Sequence, residues 1–393
     1  MESQSRHFVL MFFSAVPLLS LVICLLNILV DPYSLFASRN WLYTVNSRAA
    51  GISTVNERMT KSYDVLRKAP NSLILGTSSV DVGLDARSPA WPRATMPVYN
   101  LGIFSIDLHG MYQYLRHVIR AQPISLVVIG VDFDQFLGRW VHPLAEKDQI
   151  RLDRPPVGVW PQDFLRGSLS FDALADSINA VANEAIGEHP KYLAGNRPED
   201  DFWLFKRREG PAGFFWITDI RNISVAALKP VSLSQIDDLH AIVELCRVND
   251  IRAIIVINPI HVNLLETYSR LGYWQAFENW KRELVSMTMP LGDERRPPVN
   301  IELWDFSEYD QYSTTDLPQA TDWFWDSNHY TRRLGDLMLR RIFTSGDPEF
   351  GVRLSPDTIE QHLQMTRERQ LQYRLTHLGA VESLQQLFKD TPH

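Results

Sequence analysis

Five short apolar runs, each closed by turn-forming or polar residues, constrain this chain more than any other feature. Leu73-Ile74-Leu75 ends in Gly76-Thr77-Ser78-Ser79, Val98-Tyr99 in Asn100-Leu101-Gly102, and Leu126-Val127-Val128-Ile129 in Gly130-Val131-Asp132. Ala253 to Ile257 ends in Asn258-Pro259, and Ile301 to Trp304 in Asp305-Phe306-Ser307. A strand that is apolar at every position must be covered on both faces, as strands inside a parallel sheet are. Between the runs lie helical stripes. Residues 106–121 align Leu108, Met111, Tyr112, Leu115, Val118 and Ile119, and residues 235–248 align Ile236, Leu239, Val243 and Cys246, with Ser234 and Asp237 reading as a capping box before the second. The alternation predicts an α/β domain in three α/β/α layers. Ligands in such sheets bind at the carboxyl ends of the strands, where the Gly, Ser, Asn and Asp residues just named all fall.

A second feature bears on location. Phe8 to Val30 carries no charge and, as a helix rising about 1.5 Å per residue, spans roughly 34 Å, enough for a bilayer core. A cleaved signal peptide has a shorter apolar region that ends in small residues, whereas here Leu35 and Phe36 spoil the one candidate site before Ala37. The run therefore reads as an uncleaved membrane anchor. Arg6 and His7 precede it and Asp31 follows, which predicts a cytoplasmic N-terminus and a main domain on the periplasmic or extracellular side of a single-pass inner membrane protein.

Around this frame, residues 1–31 form the N-terminus and anchor, 32–70 an exit segment and 71–345 the α/β domain, with a helical tail over 346–393. Residues 135–230 interrupt the alternation and read as an insertion over the active edge of the sheet. Its Trp140, Trp160, Trp203 and Trp216 suit either core packing or a sugar-stacking platform. The net charge of -7 leaves no basic field for nucleic acid. Two cysteines and histidines without ligand spacing suggest neither a disulfide framework nor a metal site, and no cofactor is expected.

Two motifs carry chemistry. Ser78 projects from the end of a strand, where backbone N–H groups can face a developing oxyanion, although a Gly-Thr-Ser-Ser turn also serves simply as a helix cap. Asp326-Ser327-Asn328-His329 places an Asp three residues before a His, so that one imidazole nitrogen can be held while the other deprotonates a serine. Asp322 is a rival for that role. With Asn100-Leu101-Gly102 and Gly130-Val131-Asp132 on the intervening strand ends, the chain resembles the SGNH or GDSL hydrolase superfamily over residues 70–133 and 250–345. The resemblance implies a flavodoxin-like sheet, a triad of Ser78, His329 and Asp326, and an oxyanion hole from the N–H groups of Ser78 and Gly102. The anchor, the Gly-Thr-Ser variant and the insertion are most similar to membrane-tethered envelope-polymer proteins such as the DltD and alginate O-acetylation proteins. That likeness implies an acyl, most simply acetyl, esterase or transferase acting on a polysaccharide, a transferase needing a multispanning membrane partner to deliver the acyl group.

One position departs from the pattern. Where the superfamily has an Asn that donates to the oxyanion, this chain has Asp132, and an ionised carboxylate only accepts. Either Asp132 is protonated, or Asn100 or Asn258 supplies the donor, or the chain is a degraded SGNH-fold scaffold subunit. If Asp132 faces the oxyanion, Asp132→Asn should raise activity. Asn258 and His261 are further expected at the cleft as substrate-binding residues.

Overall fold

The computed structural model describes residues 2–33, 35–36, 56–155, 157–186, 210–227, 235–289, 300–317, 319–344 and 346–391. Helix α1 (Glu2–Val30) precedes α2 (Glu57–Lys68), β1 (Ser72–Gly76), α3 (Ser78–Gly83), β2 (Val98–Gly102), α4 (Leu108–Ala121), β3 (Leu126–Val131) and α5 (Phe133–Phe136). Next come α6 (Glu146–Asp153), α7 (Pro161–Leu169), α8 (Phe171–Ile186), α9 (Pro211–Ala227) and α10 (Ile236–Val248). They are followed by β4 (Arg252–Ile257), α11 (Val262–Arg270), α12 (Trp274–Ser286), β5 (Ile301–Asp305), α13 (Arg332–Phe343), β6 (Val352–Leu354), α14 (Ile359–Thr376) and α15 (Leu378–Asp390).

The strands form one mixed sheet in the order β2-β1-β3-β4-β5-β6, parallel from β2 to β5 with β6 antiparallel at the edge. All five apolar runs are strands. Their residues alternate between two cores, because successive side chains in a strand point to opposite faces. Leu73, Leu75, Val127, Ile129 and Ile255 pack with α4, α10, α11 and α12, while Ile74, Val128, Ile254 and Val256 pack with Val80 of α3 and Leu334 and Met338 of α13. The predicted helices at 106–121 and 235–248 are α4 and α10. Asp107 caps α4 by accepting the Gly110 N–H at 2.8 Å, whereas Ser234 of the expected capping box lies outside the described residues.

Two boundaries move. The segment expected as a mere exit contains α2, which packs on α4, α6 and β2 as part of the α/β domain. Its Lys61 is fully buried, and a buried ammonium persists only when paired. Lys61 meets Asp81 of α3 at 2.8 Å and Glu57 at 3.3 Å and donates to the Gly102 carbonyl. The tail is not only helical either, since it supplies β6.

Helix α1 contains one span, Val9–Val30, long and apolar enough to cross a membrane. Its Leu10, Phe13, Leu18 and Leu19 are exposed, whereas Asn27 and Val30 near its end are buried. There Asn27 donates to the Ser168 carbonyl at 3.0 Å and accepts from the Ser177 hydroxyl at 2.8 Å, tying α1 to α7 and α8. Among its described residues, the insertion grips the end of the apolar helix through α7 and α8 and reaches the site through α9.

Candidate active site

The end of β1 sets up the serine. Thr77 caps α3, its Oγ1 accepting the Ser79 N–H at 3.3 Å, and Ser78 becomes the first residue of that helix, nearly buried at the carboxyl edge of the sheet. From the loop before α13, His329 Nε2 lies 2.9 Å from Ser78 Oγ, and His329 Nδ1 lies 2.9 Å from both Asp326 carboxylate oxygens. Asp326 Oδ1 also accepts the N–H groups of Asn328 and His329, each at 2.8 Å, so one carboxylate fixes both the loop and the ring. Close helix packing makes this approach possible. A Cβ on Gly335 of α13 would run into the Gly83 carbonyl, and one on Gly83 into the Tyr330 ring next to His329.

The electrostatics suit the geometry. Burial alone would raise the Asp326 carboxyl, but the neighbouring His329, its ring hydrogen bond and the two backbone N–H groups hold it below the usual carboxylate range. An ionised Asp326 accepts the Nδ1 proton and leaves Nε2 to take the Ser78 proton. Asp322 is not a competitor for this role: its exposed carboxylate is 3.6 Å from Arg333.

The oxyanion assignments need correction. The Gly102 N–H donates to Asn100 Oδ1 at 2.8 Å, and the buried Asn100 amide donates to the carbonyls of Val80 and Leu84, each at 2.8 Å. Both residues brace β2 against α3, and neither lines the cleft. The Ser78 N–H, at the first position of α3, is the expected donor that stays beside the Ser78 hydroxyl.

Asp132 does line the cleft, but its oxygens are engaged. Oδ2 accepts from Thr77 Oγ1 at 2.8 Å and from Ser79 Oγ at 3.3 Å, and Oδ1 accepts from Asn258 Nδ2 at 2.9 Å. Burial raises this carboxyl above the usual carboxylate range, outweighing the bonds from Asn258, Thr77 and Ser79 and the nearby His329, which pull it down. It therefore positions the residues on both sides of Ser78 and the Asn258 amide. An Asn at 132 presents an N–H₂ group where one of these acceptors stood, which reverses the expectation from sequence. Leaving one such bond unmade is worth about 1–3 kcal/mol. Asp132→Asn should lower kcat/KM on p-nitrophenyl acetate by roughly tenfold, about 1.4 kcal/mol, and a rate increase would restore the degraded-oxyanion reading.

Asn258 lines the cleft and accepts the Tyr330 hydroxyl at 3.2 Å. His261 does not. It caps α11, its Nδ1 accepting the Asn263 N–H at 3.3 Å, its Nε2 lies 3.0 Å from the Thr315 carbonyl, and its ring packs on Phe215 and Phe324. Burial pushes its imidazole down to about 4, so this histidine is a neutral packing residue.

Helix α9 supplies the residues that sequence reasoning missed. Thr218 donates to Asp326 Oδ2 at 3.4 Å, Asn222 donates to Asn328 Oδ1 at 2.7 Å, and Asp219 accepts from Ser327 and, at 2.7 Å, from Asn263. Burial, with Asp326 repelling it, pushes the Asp219 carboxyl up to about 7. One face of α9 thus clamps the Asp-Ser-Asn-His loop. Of the insertion's tryptophans, Trp140 lines the cleft under Arg221 at 4.2 Å, Trp160 stacks on Arg154 at 4.3 Å and Trp216 is exposed, while Trp203 lies outside the described residues. They do not form a common platform among the described residues.

The cleft opens into a cavity of about 570 Å³ with mostly apolar walls. A separate buried group, Asp305, Glu308 and His362, has its donor atoms close enough together for a metal. It already holds cations of its own: Lys281 Nζ is 2.5 Å from Asp305, and Arg369 is 2.6 Å from Glu308. No protein-family model matches the chain, and no curated protein matches it.

Proposed function

We propose that the protein is a membrane-anchored serine esterase or O-acyltransferase of the SGNH kind, acting on a cell-envelope or extracellular polysaccharide. The observation that carries this reading is the continuous chain from Ser78 Oγ through His329 to Asp326, with 2.9 Å at each step. Ser78 Oγ attacks the ester carbonyl carbon while His329 Nε2 takes its proton, and the tetrahedral oxyanion forms beside the Ser78 N–H. Collapse breaks the bond to the alcohol oxygen, which leaves with the proton from His329, and Ser78 keeps the acyl group. Water or a sugar hydroxyl then attacks the acyl-enzyme, gives its proton to His329, and Ser78 recovers it as the acyl group departs.

The strand order supports an SGNH-type, flavodoxin-like three-layer arrangement, since it reverses at β1 and the serine sits at that switch point. Asp132, the best argument for an inactive scaffold, binds the turn around Ser78 rather than opposing it. The apolar span of α1 supports a single-pass membrane location, and Arg6 and His7 before it with Asp31 after it support an inside N-terminus and an outside domain. A transferase in that position would need a multispanning membrane partner as acyl donor, and an esterase would not.

A fluorophosphonate probe tests reaction and location together, because only an activated serine labels quickly. A membrane-impermeant probe should label Ser78 in intact spheroplasts, in the membrane fraction. Absence of labelling in detergent extracts would sink the esterase reading, and labelling in extracts alone would sink the outward orientation.

A further inference from the structure

The cavity behind Ser78 is far larger than an acetyl group requires. It is lined by Ser78, His329 and Asp132 and also by an aromatic group carried on α5, α11 and α12. Phe133, one residue beyond Asp132, packs edge-on against Tyr268 and Phe277, both at 5.2 Å, and tilts over Trp280 at 5.4 Å. Leu264 and Ile260 complete the wall, and all six side chains are buried. The cavity as a whole, catalytic end and aromatic chamber together, measures about 570 Å³, within the usual range for whole ligands, roughly 300–1,000 Å³.

A second observation is independent of that shape. Trp280 Nε1 and Ser307 Oγ are buried with no hydrogen-bond partner among the described residues, and both residues line this same cavity. A buried indole N–H ordinarily finds a partner, and it can only donate. Their chain neighbours are joined as well, since Lys281, next to Trp280, donates to the Ser307 carbonyl at 3.0 Å. The two orphaned groups thus come from chain segments that touch each other, both line the cavity, and an acceptor oxygen in the cavity would satisfy either donor.

We infer that this chamber is an acyl subsite, taking a chain of medium length that bears an oxygen function in its distal half. The inference rests on the acyl-ester reading and changes its substrate class, from acetyl to a longer, oxygenated acyl group. The reacting carbonyl sits at Ser78, the methylenes lie against Phe133, Leu264 and Phe277, and the distal oxygen accepts from Trp280 and Ser307.

The test compares kcat/KM for p-nitrophenyl acetate, octanoate and ω-hydroxyoctanoate on the full-length protein in detergent. Each methylene that enters the chamber should raise kcat/KM about fourfold, the equivalent of ~0.8 kcal/mol of burial. Octanoate should therefore exceed acetate by more than tenfold, and ω-hydroxyoctanoate should exceed octanoate. Leu264→Trp and Ile260→Phe, each checked for folding by circular dichroism, fill the chamber and should lower the octanoate-to-acetate ratio about tenfold. Trp280→Phe keeps the ring but removes the donor, and should bring the ω-hydroxyoctanoate-to-octanoate ratio close to one. A wild-type preference for acetate with a probe-reactive Ser78, or ratios unmoved in the folded variants, would overturn the subsite and leave the esterase reading standing. No turnover of any ester, with no labelling of Ser78, would overturn the esterase reading itself.

Discussion

Ser78→Ala and His329→Ala are each expected to lower kcat on an activated ester by roughly 10⁵- to 10⁶-fold, and the double variant by scarcely more. In the proposed mechanism the two side chains act as one unit. Without the Ser78 oxygen there is no acyl-enzyme, and without His329 Nε2, 2.9 Å away, the hydroxyl keeps its proton. Unchanged circular dichroism would show that the losses are chemical rather than structural. Ser79 is the control. Its hydroxyl lies 3.3 Å from Asp132 and 3.4 Å from the Asn328 carbonyl, within the supporting network and not on the imidazole. A dead Ser79→Ala beside a fully active Ser78→Ala would show that the nucleophile has been misplaced.

Asp326→Asn should cost about 10⁴-fold in kcat, the size seen when a triad carboxylate becomes an amide. Asp326 accepts the imidazole Nδ1 proton and the N–H groups of Asn328 and His329. An amide at 326 can turn an N–H₂ toward Nδ1, which favours the tautomer with the proton on Nε2 and removes the base. The same residue makes a prediction about stability. Burial raises the Asp326 carboxyl, yet His329 and the hydrogen bonds outweigh it, so the folded value lies below the ordinary one. A carboxylate depressed on folding stabilises the protein above its unfolded value near 3.9 and loses that contribution as pH falls through the folded value. Thermal melts should therefore separate wild type from Asp326→Asn at neutral pH and bring them together only below about pH 4. Equal kcat for the two proteins at neutral pH would remove Asp326 from the triad.

Much of this frame is legible in the residues because it depends on local pattern. The runs that become β1, β3 and β4 are apolar throughout since both of their faces are covered, and α4 shows its stripe because one face alone is. Helix α2 was hidden because its buried Lys61 looks like a surface residue until Asp81 and Glu57 are found beside it. Strand β6, three residues long at the sheet edge, has too short a pattern to read. The role of α9 was equally invisible, since Thr218, Asp219 and Asn222 acquire meaning only from the loop they touch more than a hundred residues later.

The candidate site divides in the same way. The types and order of Ser78, Asp326 and His329 are properties of the sequence, because a strand-end serine and an Asp three residues before a His are short-range arrangements. That Ser78 and His329, separated by 251 positions, stand at hydrogen-bonding distance is a property of the parallel sheet and of the close approach of α13 to α3 at Gly83 and Gly335. The fates of Gly102 and Asp132 were likewise decided only in three dimensions. An N–H or a carboxylate is available to a reacting atom only if no nearer partner has taken it, and here Asn100 takes the Gly102 N–H while Thr77, Ser79 and Asn258 occupy Asp132. Sequence supplies the donors and acceptors, and the tertiary fold assigns their partners, because hydrogen bonds are satisfied by proximity in space and not by order along the chain.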